Sequence, residues 1–220
     1  MASLLTLLFN LMPQRIIGAA VMRRRFTQFA NTNGLVYFGL LHPRDDHEPI
    51  RGFTANAGQI DNYAVYGNIH ERAVTIFERT VTHAASLSRK GRTHSHTWLI
   101  AAVKHNVERS PHVLLLSHVH PRLHDEAVAI HHDRSQHVAL DVNLDANFLV
   151  YAQPSDMEDI RENFNEEVIQ QLLTKPGYDY EIDSQWVYVY SHNTAPKADE
   201  LHQQFSAALA LANVYEKSPE

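Results

Sequence analysis

The chain of 220 residues is long enough for one sizeable domain or two small ones. Its 44% of hydrophobic and 20% of charged residues are ordinary values for a globular protein with a packed core. A formal net charge of −6 argues against general binding of nucleic acid. The absence of cysteine excludes disulfides, thiolate metal sites and cysteine nucleophiles, and it fits a reducing compartment such as the cytoplasm.

The N-terminal segment is apolar and is followed by three arginines. Residues 1–22 are interrupted by polar residues and a proline between Asn10 and Arg15, and Arg23-Arg24-Arg25 follow. A membrane-spanning helix needs about 20 nearly uninterrupted apolar residues, and a signal peptide carries its positive charge before the apolar run. Two interpretations therefore stay open. The segment is a helix that docks on the core or on a partner, or it is an interfacial anchor whose leucines enter lipid while the arginines meet anionic headgroups.

The first regular elements follow from spacing and from stop signals. Apolar residues at helical intervals predict a helix from Pro13, in its first turn, to about Asn31, and Asn33-Gly34 is the expected stop. Residues 35–41 then predict a strand. The polar residues 42–51, with two prolines, predict a loop.

A run of strand patterns occupies the middle of the chain. Residues 63–66 and 73–77, the latter extending to Thr82, predict a hairpin with Gly67-Asn68 near its turn. Residues 84–93 form a polar turn. The nearly continuous apolar residues 97–103 predict a central strand with both faces covered. Further strands are predicted at 113–116, 138–141 and 148–151.

The C-terminal third predicts a helix, a hairpin and a second helix. Pro154-Ser155-Asp156 open the first helix, which carries one apolar stripe to Leu173 and stops at Lys175-Pro176-Gly177. Its crowded carboxylates are interpreted as a solvated face. Residues 178–183 and 185–191 predict the hairpin, and a final helix runs from Ala198 to Tyr215.

The order of these elements determines the predicted fold class and domain organisation. Because strands come in succession rather than alternating with helices, the expected fold is α+β. It is a single domain with a predominantly antiparallel sheet and flanking N-terminal, middle and C-terminal helices. The predicted boundaries are an N-terminal segment of residues 1–25, a domain of residues 26–215 and a disordered tail of residues 216–220.

The same order resembles a family of uncharacterised bacterial α+β proteins, and the resemblance covers most of residues 26–213. The matching pieces are structural: turn glycines, strand aromatics and helix stripes. They comprise residues 26–39, 62–80, His96-Thr97-Trp98, 138–153, Val168–Leu173, Trp186–Tyr190 and Lys197–Asn213. Membership implies a fold and no known activity. Some relatives look membrane-attached near the N-terminus, which favours the anchor interpretation.

Histidines are the one unusual chemical feature of the chain. Of sixteen, eleven lie between His83 and His137. His94 and His96 share one face of an extended strand, and His118 and His120 repeat that spacing. Two such pairs on neighbouring strands could supply imidazoles to zinc or another divalent transition metal. The glycines and the glutamate that accompany a cupin-like pair are absent.

Two other interpretations of the histidines stay open. They form an ordinary polar surface, or they make a surface that responds to pH because imidazole titrates near pH 6.5, in which case assembly would change with pH. A third feature, Trp186, Tyr188 and Tyr190 on one strand face, is interpreted as core packing. Its alternative is an exposed strip for a partner strand.

Together these observations predict a non-enzymatic interaction or scaffold domain without a cofactor. No nucleophile elbow and no phosphate-binding loop is present in the sequence. An unidentified protein partner and no nucleic acid are expected, and a membrane surface reached through residues 1–25 stays open as a further partner. The alternative is a metal-binding domain, or a metalloenzyme, that uses His94, His96, His118 and His120.

Overall fold

A computed structural model describes residues 3–41, 52–55, 59–83, 94–108, 110–119, 137–192 and 195–217, except for the side chains of residues 3–17, His83 and His94. The predicted loops at 42–51 and 84–93 lie outside these residues. The helices are α1 Ser3–Thr32, α2 Val142–Asn147, α3 Met157–Asn163, α4 Glu166–Leu173 and α5 Ala198–Tyr215, with a 3-10 turn at Pro154–Asp156. The strands are β1 Val36–Leu41, β2 Gln59–Ile69, β3 Arg72–His83, β4 His94–Lys104, β5 Val113–Ser117, β6 Phe148–Ala152, β7 Asp179–Asp183 and β8 Trp186–Ser191.

The described strands form one eight-stranded sheet in the order β1-β2-β3-β4-β8-β7-β5-β6. Every neighbouring pair is antiparallel. The predicted α+β class, with its antiparallel sheet and N-terminal, middle and C-terminal helices, is therefore confirmed. β4 lies fourth in the order and residues 98–103 are buried, as the continuous apolar run predicts.

Both faces of the sheet are packed. On one face, Phe26 and Phe29 of α1 and Leu201 and Phe205 of α5 join the inward strand residues in the larger hydrophobic cluster. On the other face, a second cluster is rich in aromatic side chains, among them Phe53, Phe77, Trp98, Tyr188 and Tyr190. We call these the helical face and the aromatic face.

Helix α1 begins earlier than predicted. It runs from Ser3, so Pro13 lies inside the helix and not in its first turn. Leucines and Met12 before the proline, and Ala19, Ala20 and Met22 after it, favour helix. The interior proline removes one backbone hydrogen bond without ending α1. The predicted stop is confirmed. Gly34 has a φ of +67°, and the Leu35 amide donates to the Ala30 carbonyl at 2.8 Å, which closes the helix end.

The turn between β2 and β3 lies three residues beyond its predicted place. Gly67 and Asn68 pair with Val74 and Ala73 inside the hairpin, and the two turn residues are His70 and Glu71. Both turn residues have positive φ, of 50° and 67°. Gly67 serves packing instead, because a Cβ at that position would lie 2.6 Å from Leu35 Cδ2.

Residues 138–141 do not form the predicted strand. A single bridge joins His137 to Tyr151, and the chain then enters α2, which the sequence pattern did not predict. Asp141 explains the difference, because its carboxylate accepts from the amides of Asn143 at 2.8 Å and Leu144 at 3.2 Å. This is N-cap geometry, which starts a helix and ends extended backbone.

The predicted helix that ends at Leu173 is two helices. α3 ends at Asn163 and α4 begins at Glu166. The side chain of Asn165 accepts from the Val168 amide at 3.0 Å, so Asn165 caps a new helix. The apolar stripe survives the break, since Ile160, Phe164, Val168 and Leu172 are all buried. The β7–β8 hairpin and the helix Ala198–Tyr215 are confirmed.

Candidate functional site

Of the four predicted metal ligands, the three whose backbone the structure describes come from strands that are not neighbours. His94 and His96 belong to β4, and His118 follows β5, but β8 and β7 lie between those two strands. Three strand spacings amount to about 14 Å, far more than a shared ion bridges at about 2 Å per ligand. The premise of neighbouring strands is therefore wrong. Within the described residues, no group of three histidine, aspartate or glutamate side chains could hold a metal ion.

His83, His94, His96 and His118 nevertheless lie at one end of the sheet. β4 is antiparallel to β5 through three antiparallel steps, so β4 begins at the end where β5 stops. We call this the histidine end. His96 is half-buried with its ring 5.7 Å from that of Trp98, whereas His118 is exposed with its Nδ1 3.3 Å from the Ala146 carbonyl. The side chain of His94 and all of His120 lie outside the described residues, so metal binding stays a prediction.

A buried carboxylate orients a further histidine at the histidine end. Asp179 Oδ2 lies 3.1 Å from His192 Nε2, and Asp179 Oδ1 accepts from the Ser117 amide at 2.7 Å. The Ser117 hydroxyl donates to the Pro176 carbonyl. A hydrolytic triad needs the hydroxyl to donate to the imidazole. Here the carboxylate joins β5 to the β7–β8 hairpin, and the arrangement is structural.

A second polar cluster lies on the aromatic face around Glu181. This buried carboxylate accepts hydrogen bonds from the Phe53 amide at 2.8 Å and the Tyr190 hydroxyl at 2.5 Å, and it lies 2.8 Å from His112 Nε2. Burial lowers the pKa of His112, but the hydrogen bond to Glu181 and the charges of Glu181, Asp183 and Asp156 together raise it above its usual value. Glu181 is therefore engaged on both oxygens, which leaves it poorly placed for acid–base catalysis.

An ion pair beside that cluster is equally engaged. Arg79 and Asp61 make a two-point contact, Nε to Oδ1 at 2.7 Å and Nη2 to Oδ2 at 2.9 Å, and both side chains are buried. Arg79 Nη1 also donates to Thr54 Oγ1 at 3.2 Å. Together with the Glu181–Phe53 bond, these contacts hold residues 52–55 on the sheet. Their role is to fasten a connecting segment.

The aromatic strand β8 is core. Trp186, Tyr188 and Tyr190 are 7%, 2% and 0% exposed, and β8 pairs with a strand on each side. The core-packing interpretation is confirmed, and the exposed-strip alternative is wrong. The sequence pattern of β8 is enough to predict this burial, because its alternate residues Val187 and Val189 are apolar as well. They are buried on the helical face.

The most unusual described surface lies along α1. Met22, Phe26, Phe29 and Ala30 pack on the sheet, whereas Arg23 and Arg24 are exposed. Arg25 Nη1 donates to the Pro196 carbonyl at 2.9 Å, beyond the end of β8. Leu35 instead contacts Gly67, near the β2–β3 turn. α1 therefore points its N-terminal half past the histidine end, and the helix continues for fifteen residues before Gly18.

The charge distribution singles out the same surface. Its three successive arginines were identified from the sequence, but the asymmetry along the chain was missed. Residues 1–41 contain four arginines and no acidic residue, a charge of +4. Since the whole chain carries −6, the remaining residues carry −10. Such asymmetry between segments is typical of a chain whose basic end meets an anionic surface.

Three apolar side chains stand exposed beside α1 on the outer strand. Val36, Phe38 and Leu40 are 56%, 55% and 52% exposed. Val36 pairs with Tyr66 and Phe38 packs against it, so these two lie on the aromatic face. Leu40 stands between Gly39 and Leu41, which both lie on that face, so Leu40 points to the other side of the outer edge. We call them the β1 stripe. The alternate residue Tyr37 lies on the helical face, packed against the larger cluster.

Among the described residues, no helix has the length and apolar character needed to cross a bilayer.

The described residues form an antiparallel α+β domain in which the buried Asp179, Glu181 and Arg79–Asp61 groups hydrogen-bond within the protein. No family model and no curated protein matches the chain. Among solved structures, the chain is similar to the mycobacterial trehalose monomycolate transport factor A, TtfA. That match has a TM-score of 0.61 and 14% sequence identity, and it covers 90% of this chain and 96% of the other. At this identity the likeness concerns the fold.

Proposed function

We propose that the protein is a non-enzymatic scaffold domain of a membrane transport system, held at the cytoplasmic surface of the membrane by residues 1–25. The observation that carries the proposal is the fold-wide likeness to a protein named as a transport factor, which spans nearly the whole of both chains. The partner is an unidentified protein of that system. The engaged states of Glu181, Asp179 and the Arg79–Asp61 pair support a structural role over a catalytic one.

The two halves of α1 have different surroundings, and this difference supports membrane attachment. Its C-terminal half supplies core side chains from Met22 onward, so the domain already holds that half in place. Its N-terminal half continues beyond the sheet, and Arg23 and Arg24 lie exposed where it leaves. An apolar helix next to basic residues binds an anionic membrane surface for two reasons. Its apolar side chains are buried in lipid, and its basic residues are attracted to the headgroups.

Vesicle flotation tests the attachment. The full chain and a variant lacking residues 2–17 are mixed with vesicles of zwitterionic lipid alone or with added anionic lipid. We expect the full chain to float with the anionic vesicles and the truncated chain to stay in the dense fraction. The truncation spares Met22, Phe26 and Phe29, so loss of binding cannot be assigned to loss of the core.

A charge variant supplies the matched control. Arg23→Glu with Arg24→Glu should weaken binding to anionic vesicles roughly tenfold or more, because each basic residue near such a surface contributes about 1 kcal/mol. Arg161→Glu with Lys217→Glu reverses two exposed charges elsewhere and should leave binding unchanged. If the truncated chain floats as the full chain does, residues 1–25 are not the anchor and the proposal fails.

A further inference from the structure

We propose that the outer strand β1 is a second lipid contact, in which Val36, Phe38 and Leu40 enter the headgroup region while α1 lies along the membrane surface. The inference rests on the proposed membrane attachment and extends it from a terminal anchor to a face of the folded domain. It assigns an orientation: the β1 side of the sheet faces lipid.

The β1 stripe has the composition of a contact surface. Three large apolar side chains, each more than half exposed, line the outer edge of the sheet, and Phe38 packs edge-on against Tyr66 with ring centroids 5.6 Å apart. Outer strands usually carry lysine, proline or another charge that discourages association. β1 carries none of these from Val36 to Leu41.

The direction of the chain places the β1 stripe beside α1. The helix ends at the left-handed Gly34, and β1 then runs back toward the histidine end, antiparallel to the helix that precedes it. The Arg23 guanidinium is close enough to Tyr37 of β1 to lower its pKa, although burial of the tyrosine raises that pKa more. Since α1 and Tyr37 lie on the helical face, a membrane plane that contacts both Arg23 and the β1 stripe is one that meets the outer edge of the sheet.

The charges and the strand geometry favour lipid over a second copy of the chain. A symmetric dimer through β1 would bring two copies of Arg23 and Arg24 together, and residues 1–41 offer no acidic side chain to offset them. The backbone also disfavours edge pairing. Gly39 has a φ of +84°, and the β1–β2 register shifts on both sides of it, so the outer strand is irregular. Anionic lipid matches the arginines and tolerates the irregular backbone.

The test uses the full chain with Phe38→Ser and Leu40→Ser, and co-sedimentation with anionic vesicles. We expect a partition coefficient roughly tenfold lower than that of the unchanged chain. The matched control is Val119→Ser with Val142→Ser, two apolar residues that are 60% and 83% exposed elsewhere, and its partition coefficient should not change. Circular dichroism checks that each variant is folded.

A Phe38→Trp variant provides a measurement that does not depend on loss of binding. Because Trp98 and Trp186 are buried, a new exposed indole would dominate any response to lipid. Its emission should shift to shorter wavelength with anionic vesicles and be quenched by a lipid-borne quencher at headgroup depth. No shift in a vesicle-bound chain would overturn the inference.

The remaining outcomes separate this inference from the proposed function. Normal binding by the Phe38→Ser, Leu40→Ser chain, together with loss of binding on deletion of residues 2–17, would refute the β1 contact and leave the anchor standing. Normal binding by the deletion variant would refute the anchor itself. Self-association in sedimentation that the β1 substitutions abolish would show that the stripe joins two copies, and the lipid contact would be rejected.

Discussion

His105 shows how a single buried side chain makes stability depend on pH. It is fully buried after β4, its ring meets Tyr215 edge-on at 5.0 Å, and its Nδ1 accepts from the Val107 amide at 3.2 Å. Burial, with a smaller contribution from the Arg72 charge, lowers the pKa of His105 from 6.5 to about 4. The folded protein therefore keeps this imidazole neutral at a pH where an unfolded chain would protonate it.

The sign of the effect follows from that difference. Between pH 6.5 and about 4 the unfolded state binds more protons at this site than the folded state, so the stabilising contribution of a neutral His105 is complete above pH 6.5 and declines as the pH falls. A pKa change of this size corresponds to roughly 3 kcal/mol. His105→Asn keeps an acceptor for the Val107 amide but cannot titrate. Urea unfolding from pH 7.5 to 4 should show the unchanged chain losing more stability than the variant.

His118→Asn is the control for that experiment, because it removes a histidine whose side chain is exposed. Parallel profiles for the unchanged chain and His105→Asn would contradict the assignment of the pH dependence to His105.

The sequence offered no way to single out His105 among sixteen histidines. Its burial depends on α5 crossing the end of β4, which only the packed structure specifies.

At the scale of elements, a misplaced turn has consequences along a whole hairpin. With the turn at His70-Glu71, Asp61 lies directly opposite Arg79, and the buried ion pair is a cross-strand pair. A turn at Gly67-Asn68 would displace β2 by several residues relative to β3 and separate these two side chains. The sequence identified both strands, but the glycine that marks a close approach to Leu35 was mistaken for a turn glycine.

The observed turn can be tested by supplying the residues that its backbone favours. Left-handed backbone costs a non-glycine residue roughly 1–2 kcal/mol, and His70 and Glu71 both adopt it. His70→Asn with Glu71→Gly matches a type I′ turn and should stabilise the protein by about 1 kcal/mol, a rise in Tm of about 2–4 °C. Thermal unfolding followed by circular dichroism measures the change.

Asn68→Gly tells the two turn positions apart. Inside β2 a glycine should cost about 0.5–1 kcal/mol, whereas at a turn it would be neutral or favourable. Stabilisation by Asn68→Gly and destabilisation by the His70, Glu71 double change would together place the turn where the sequence first suggested.

Helix ends were predicted well where the sequence contains a residue that favours a helix end, such as glycine. Gly34 ends α1, and α5 spans the predicted residues 198–215. The break between α3 and α4 was missed because the apolar stripe continues across it, and Asn165 acts through a cap that spacing does not reveal. Periodicity reports which face is buried. It does not report whether the backbone is continuous.

For the molecule as a whole, we expect that the folded body does not need the first half of α1. Among the α1 side chains that the structure describes, from Gly18 onward, Met22, Phe26, Phe29 and Ala30 are in the core, and Phe26 stacks on Tyr63 with ring centroids 5.4 Å apart. A chain lacking residues 2–17 should therefore unfold cooperatively with a Tm close to that of the full chain. Phe26→Ala should lose about 3–5 kcal/mol, as large-to-small core substitutions do.

Calorimetry of the three proteins compares these effects. A truncated chain that melts broadly, or at a Tm as low as that of Phe26→Ala, would mean that residues 3–17 belong to the core.

The sequence alone left the role of residues 3–17 open, since the same apolar run suits docking on protein or contact with lipid. It also could not give the strand order, because no local signal says that β8 joins β4. For that reason the histidines of β4 and β5 were expected to be neighbours.

That strand order also constrains how the protein is made. The first four strands and the β5–β6 pair meet only through the β7–β8 hairpin, which ends at Ser191. During synthesis, one side of β4 and one side of β5 stay unpaired until β7 and β8 have been synthesised, near the end of the chain. A nascent protein in that condition presents two open sheet edges at once, the situation in which neighbouring nascent chains cross-pair and chaperones become necessary.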